Sequence, residues 1–161
     1  MKIGLFYVSL SGTTKKCAMM IKEQVPNVDL MNLDAKVINL DDYDYIIIGT
    51  PILMGRFPKQ IRKFLKNNKE KLMGKTAIFL CRGFKIDLDK TLSANLDYDL
   101  YTNLILAASF GGEIHLDKLK GLKKFLVRMI TKTNNYVEPK LDFEAIGKFI
   151  DNVKKLNRGE K

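Results

Sequence analysis

The sequence predicts an α/β domain in which helices cover both faces of a doubly wound, five-stranded parallel sheet. Three observations carry that prediction. Short apolar runs alternate with helix-like stretches along the chain. The run Asp44 to Gly49, D-Y-I-I-I-G, is continuously apolar at its centre, as a strand buried on both faces requires. The first apolar run breaks into a hydroxyl-rich turn directly before a helix. Alternation of this kind implies right-handed crossovers between parallel strands, which place helices on both sides of the sheet.

Taken in order, Lys2 to Val8 reads as the first strand and Thr14 to Gln24 as the helix after it. Val28 to Asn32 is a short second strand and Asp44 to Gly49 the third. Pro58 to Leu72 reads as one helix, with Pro58 in the first turn where its missing N–H does little harm. Lys75 to Cys81 is the fourth strand, Leu88 to Asp97 a helix, Asn103 to Phe110 the fifth strand, and about Asp142 to Leu156 the last helix.

A length of 161 residues fits one domain, 1–161, with a single sizeable core, and no linker or internal repeat interrupts it. The chain starts directly with a strand, without a basic-then-apolar leader, and no apolar run approaches the roughly 18 to 20 residues that span a bilayer. The expectation is a cytoplasmic protein. Cys17 and Cys81 lie far apart in sequence and fit neither a disulfide framework nor a metal knuckle, so both are expected to be small, buried, reduced packing residues. With His115 as the single histidine, no metal site is expected, and no residue stands out as a catalytic acid or base. A formal charge of +10 and a pI near 9.5 favour anionic partners: nucleic acid, acidic lipid or an anionic small molecule.

The stretch from Leu5 to Ile21, L-F-Y-V-S-L-S-G-T-T-K-K-C-A-M-M-I, has the chemistry of a phosphate cradle. Ser9, Ser11, Thr13 and Thr14 supply hydroxyl donors, and Gly12 lets the backbone approach an anion in a conformation that other residues resist. The helix that follows aims its unpaired N-terminal amides and positive dipole end at the same spot. A nucleotide P-loop would end Gly-Lys-Ser/Thr, whereas this turn continues Thr-Thr-Lys.

Leu5, Phe6, Tyr7, Ser9, Gly12, Thr14, Ala18 and Ile21 fall at the positions of the flavodoxin signature, and the segment resembles the FMN phosphate loop of that family. The resemblance implies the strand order 2-1-3-4-5 and FMN held noncovalently, its phosphate on Ser9, Ser11, Gly12, Thr13 and Thr14. Response regulators share the fold class but carry an acidic pair after the first strand and an Asp at the end of the third, places held here by Ser9 and Thr50. In the flavodoxin-like order, ligands sit beyond the carboxyl ends of strands one and three, where the order reverses. That rule selects the loops Ser9 to Thr14, Thr50 to Phe57 and Arg82 to Lys85.

The second loop, T-P-I-L-M-G-R-F-P, resembles the one that packs on one side of the flavin ring, which implies contacts from Thr50, Pro51, Ile52, Leu53, Met54 and Gly55. Gly55 is either a plain turn residue or the site of a peptide flip toward flavin N5. The chain has no tryptophan, which leaves Ile52, Leu53, Met54 or Phe57 to cover the ring. In the third loop, Arg82, Gly83, Phe84 and Lys85 lie toward the ring edge, with Phe84 either a stacking platform or core.

Between the fifth strand and the last helix, about 112–138, the chain carries a segment that a minimal flavodoxin would not need. Leu119, Leu122, Phe125, Leu126, Met129 and Ile130 recur at helical spacing among Lys118, Lys120, Lys123, Lys124, Arg128 and Lys132, the pattern of a basic amphipathic helix. Such a helix either docks on its own domain or lies in an anionic membrane interface. This segment and the I-L-M-G-R-F-P-K-Q-I-R-K-F-L stretch are similar to the corresponding regions of the menaquinone-dependent protoporphyrinogen dehydrogenases. That resemblance implies a reduced tetrapyrrole donor, a quinone acceptor and a peripheral position at the inner face of the cell membrane.

The charge fits it, because positive groups favour reduction of a bound flavin. At about 6 Å and an effective dielectric near 20, one charge contributes roughly 3 kcal/mol before screening. The chain departs in charge from acidic shuttle flavodoxins, yet a flavodoxin electron carrier serving an acidic redox-protein partner stands as the alternative. Nucleic acid is not an expected partner, since the hydroxyl loop is intact and no aromatic-basic alternation appears.

Overall fold

The computed structural model describes residues 1–33, 39–83, 87–113 and 139–160. Five strands, β1 (Ile3–Tyr7), β2 (Val28–Asn32), β3 (Tyr45–Pro51), β4 (Thr76–Cys81) and β5 (Leu104–Ser109), form one sheet in the order β2-β1-β3-β4-β5. Every pairing is parallel, with Ile3 opposite both Val28 and Tyr45, and Ile46 opposite Thr76. The predicted fold class and strand order are therefore those observed. Each predicted strand is present, with ends displaced by two residues at most.

The strand period sorts the core into two layers. On one face Ile3, Leu5 and Tyr7 of β1, Ile47 of β3, and Ala77, Phe79 and Cys81 of β4 meet α1 (Thr13–Gln24) and the last helix, which spans Phe143–Arg158. The opposite face buries Phe6, Val8, Ile46, Ile48, Ile78 and Leu80 under α2 (Lys59–Asn67), α3 (Lys69–Leu72), α4 (Leu88–Ser93) and α5 (Tyr98–Thr102). Counted in chain order, the last helix is α6. Helices α1 and α6 earn their places by spacing: Cys17, Ala18 and Ile21 on α1, and Ile146, Phe149, Ile150 and Val153 on α6, each form one buried stripe. Asp142 caps α6 by accepting from the Ala145 amide, and Gly159 closes it in the left-handed conformation.

Two predicted helices are each divided. Pro58 to Leu72 is not one helix but two, α2 and α3, broken at Asn68. The Asn68 side chain donates to the Phe64 carbonyl at 2.8 Å, a local hydrogen bond that competes with helical continuation. Leu88 to Asp97 likewise ends at Ser93, and Asp97, instead of finishing that helix, caps α5 by accepting from the Leu100 amide. The basic stretch expected in 112–138 lies, from residue 114 onward, outside the described residues, as do His115, Phe84 and Lys85.

Phe79, Phe110 and Phe149 lock β4, the exit of β5 and α6 together: Phe79 stacks on Phe110 at 4.7 Å, and Phe149 stands edge-on to Phe110 at 5.2 Å. Gly49 of β3 faces this cluster, and a Cβ there would be driven into the Phe79 ring. With Phe79 fully buried, the ring has little room to yield. Gly49→Ala is expected to destabilise the chain by about 1–3 kcal/mol, the usual cost of overpacking. A urea midpoint equal to that of the unsubstituted chain would show that the cluster relaxes freely.

Candidate functional site

Backbone pairing continues one residue past the strand ends, and this fixes the carboxyl-end loops side by side. The Val8 amide donates to Gly49 O at 3.1 Å, Ile52 to Cys81 O at 2.9 Å, Phe110 to Leu80 O at 2.9 Å and Arg82 to Gly111 O at 2.7 Å. The exits of β1, β3, β4 and β5 therefore converge on one edge. Because β1 leaves toward α1 on one face while β3 leaves toward α2 on the other, the chain splits between them and opens a crevice.

The first loop reaches that crevice with a donor-rich surface. Gly12 sits at φ 99°, ψ −19°, a left-handed conformation that a side chain would strain, and the Lys16 amide donates to its carbonyl at 2.9 Å to open the first turn of α1. Gly12 has no side chain with which to cap α1, and the first turn contains no acidic residue. Amides at the start of such a helix have no intrahelical partner and point outward with the positive dipole end.

The loop hydroxyls fall into two groups. Ser9 and Ser11 are half-buried at the surface, with Ser9 Oγ accepting from the Lys15 amide at 3.2 Å. Thr13 and Thr14 are 4% and 1% exposed. The Thr13 hydroxyl lies 3.4 Å from Glu113 O and 3.5 Å from Ser11 Oγ, and the Thr14 side chain is buried near Cys81, whose pKa it lowers. Both threonines thus anchor the loop by their side chains and offer a ligand their backbone amides. Lys16 holds the Glu113 carboxylate in an ion pair at 2.8 Å.

The second loop is a two-residue reverse turn: the Leu53 amide donates to Arg56 O at 3.1 Å, and the Arg56 amide to Leu53 O at 2.9 Å. Both central residues have positive φ, Met54 at 49° and Gly55 at 76°, as the primed hairpin turns demand. For Gly55 this costs nothing unusual. A left-handed Met54 carries a strain of roughly 1 kcal/mol, and its side chain is 95% exposed beside a 43% exposed Leu53. Pro51 and Ile52 are half-buried, and Thr50 is fully buried with its hydroxyl donating to Pro51 O at 3.1 Å. Phe57, expected as one of the residues that could cover a ring, belongs instead to the core beneath α2 at 2% exposure.

Asn95, which sequence reasoning missed, holds this loop. Its Oδ1 accepts from the Phe57 amide at 2.8 Å, while Nδ2 donates to Gly55 O and Thr91 O, each at 2.8 Å. A continuous helix over Leu88 to Asp97 would have made Asn95 an ordinary helical residue. The break after Ser93 frees its amide to grip a loop 40 residues away in sequence.

In the third loop Arg82 and Gly83 are half-buried, and burial holds the Arg82 guanidinium below its ordinary pKa. Gly112 lies so close to Arg82 that a Cβ would overlap the Arg82 carbonyl, which explains a glycine there. Arg56, Lys59 and Arg62 are exposed along the second loop and the start of α2. Below the first loop the structure adds a juxtaposition the sequence concealed: Cys17 and Cys81, 64 residues apart, place their sulfurs 3.7 Å from each other.

A family model described as flavodoxin domain matches residues 4–138. The chain belongs to the flavodoxin-domain family. Flavodoxins from two strains of Nostoc sp. are 43% identical over 54 residues, a stretch covering 31% of this chain and 31% of each flavodoxin. The chain thus aligns with about a third of the length of these relatives. Among solved structures, a flavodoxin, WrbA-like protein from Agrobacterium tumefaciens is similar over 99% of both chains, at a TM-score of 0.59 and 18% identity. A flavoprotein from Lactobacillus acidophilus, solved in complex with FMN, is similar over 67% of this chain and 92% of its own, at a TM-score of 0.54 and 21% identity. At such identities both likenesses establish the fold alone.

Removing the Asn95 amide should loosen the second loop. Asn95→Ala is expected to cost about 1–2 kcal/mol for three partly exposed hydrogen bonds lost together. Asn95→Asp retains the acceptor for Phe57 but sets a carboxylate oxygen against the Gly55 and Thr91 carbonyls, so it should destabilise at least as much as alanine. Urea denaturation of the three proteins measures the order, and an alanine variant as stable as the unsubstituted chain would remove Asn95 as the clamp.

Proposed function

We propose that the chain binds FMN at the carboxyl edge of its sheet and works as a redox protein through it. The observation that carries this reading is the β1–α1 turn, where the half-buried Ser9 and Ser11 and the left-handed Gly12 open a helix with no acidic side chain in its first turn. That donor set suits a phosphate monoester without a lysine. Ser9, Ser11 and Gly12, with the amides of Thr13 and Thr14, hold the phosphate. Thr50, Pro51, Ile52, Leu53, Met54 and Gly55 line one side of the ring, and Arg82 and Gly83 lie toward its edge; Phe84 and Lys85, also expected to contact the cofactor, fall outside the described residues. FMN, when bound, supplies reversible uptake of two electrons, singly or together. The chain itself binds and orients the cofactor, keeps the second loop in one conformation through Asn95, and sets the charge around the mouth.

For the physiological reaction we favour a protoporphyrinogen dehydrogenase type, in which electrons pass from a reduced tetrapyrrole to a quinone. Supporting it are the charge of +10 and the exposed Arg56, Lys59 and Arg62, which suit the carboxylates of a tetrapyrrole. Among the described residues no helix is long and apolar enough to cross a membrane. Contact with an anionic membrane would then be peripheral and would fall to the basic segment at about 112–138. A second reading, an electron carrier for an acidic protein partner, has its own support in the exposed Leu53 and Met54 at the tip of the second loop, an apolar surface in the same turn as the exposed Arg56.

Anaerobic mixing of the FMN-loaded protein with reduced protoporphyrin and a menaquinone analogue tests the two. Bleaching by the tetrapyrrole, followed by quinone-dependent recovery of the flavin absorbance, is the expected result. A flavin that stays oxidised with the tetrapyrrole but exchanges electrons with a redox protein would give the carrier reading. A protein that takes up no FMN would end both.

A further inference from the structure

Cys17 and Cys81 take no part in the proposed FMN site, yet their placement is that of a reactive pair. Both are free thiols, 0% and 4% exposed, within the apolar cluster that also holds Leu5, Tyr7, Ile47 and Phe79. The Cys81 thiol donates toward Cys17 Sγ at 3.7 Å, which is direct contact. A disulfide closes at about 2.05 Å, so a roughly 1.7 Å approach of the two sulfurs separates the pair from a bond. Cys17 lies on α1 four residues after its first residue, which puts the pair close under the first turn of that helix.

We propose that Cys17 and Cys81 are a redox-active dithiol that a small peroxide converts into an intramolecular disulfide. Burial chooses the oxidant, because a protein or peptide disulfide cannot align with sulfurs that are almost fully covered, whereas hydrogen peroxide is nearly as small as water. The hydrogen bond from Cys81 lowers the Cys17 pKa against the raising effects of burial and of Glu113, and the same bond with burial raises that of Cys81. With the sulfurs in contact, the proposed sequence has Cys17 attack and Cys81 resolve.

In the first step Cys17 Sγ attacks one peroxide oxygen, the O–O bond breaks, and the other oxygen leaves as water after taking up a proton, giving a sulfenic acid at Cys17. Cys81 Sγ then attacks the Cys17 sulfur: the S–S bond forms, the S–O bond breaks, and a second water leaves with the Cys81 proton. Two thiols and one peroxide give one disulfide and two waters, the two sulfurs supplying both electrons. A small dithiol returns both protons and both electrons by exchange. The product would tie α1 covalently to β4 beneath the anion loop. None of this depends on FMN, so the proposal stands or falls apart from the cofactor assignment.

The test uses the full chain, exposed to hydrogen peroxide in its native state, quenched with catalase, unfolded in urea and alkylated with iodoacetamide. The expected result is two alkyl groups before peroxide and none after it, with both restored by dithiothreitol. Trypsin should release a fragment joining the peptide that starts at Cys17 to the one that ends at Arg82. Cys17→Ser should abolish the joined fragment and leave Cys81 open to alkylation. Because a cysteine variant could fold poorly, the unsubstituted chain unfolded in urea before the peroxide step serves as a second control, expected to join the peptides more slowly than the native chain. Full alkylation of the native chain after peroxide, disulfides between two chains, over-oxidised cysteine without the joined fragment, or joining only after prior unfolding would each overturn the proposal.

Discussion

The site depends on one constraint: β1 is paired on both edges and buried on both faces, so the chain that leaves it has a single direction in which to go. Ile3, Leu5 and Tyr7 are held under α1 and α6, and Phe6 and Val8 under the opposite layer. Strands β2 and β3 fix its register on either side. The Val8 amide extends that pairing to Gly49, and only then does the backbone turn through Gly12 into α1. The first turn of α1 starts at this edge because the strand that leads into it is fixed on both sides. Cys17, Ala18 and Ile21 then seat α1 on the sheet one face away. The shape of this turn is one that the hydrophobic core has already enforced.

The second loop is controlled differently. The core ends at the buried Phe57, and beyond it the turn at Met54 and Gly55 projects into solvent with backbone angles that one of its residues adopts unwillingly. Such a turn persists because Leu53 and Arg56 exchange two hydrogen bonds and Asn95 grips Gly55 and Phe57 from the opposite layer. Strain held by surrounding hydrogen bonds is common where a loop must meet a ligand in one shape. Any change in the Gly55 peptide would have to break its bond to Asn95, which links the conformation of this loop to the segment between α4 and α5.

The strands and the turn that leads into α1 were legible in the sequence because their signals are local. D-Y-I-I-I-G is a buried strand by composition, and S-L-S-G-T-T is a hydroxyl turn by inspection. Less legible were features in which one polar side chain overrides a pattern. Asn68 and Asn95 lie in stretches with helical character, and their amides divert the backbone through contacts that no periodicity records. Phe57 was expected among the residues that could cover a ring, and its burial beneath α2 is a tertiary contact that its apolar character does not reveal. The closeness of Cys17 and Cys81 was invisible for another reason. Their contact comes from the crossover packing of α1 against β4, two elements that are separated by β2, β3 and the helices between.

The central claim is that the β1–α1 turn recognises a phosphate and that the rest of the ligand is placed by it. Calorimetric titration of the purified chain with FMN and, separately, with riboflavin tests it most directly, because the two ligands share the ring and differ in the phosphate. Several charge-assisted hydrogen bonds, each contributing about 1.5–3 kcal/mol, predict that FMN binds at least ~100-fold more tightly than riboflavin. Equal affinities for the two would contradict the account, since a loop that ignores the phosphate cannot be what positions the flavin.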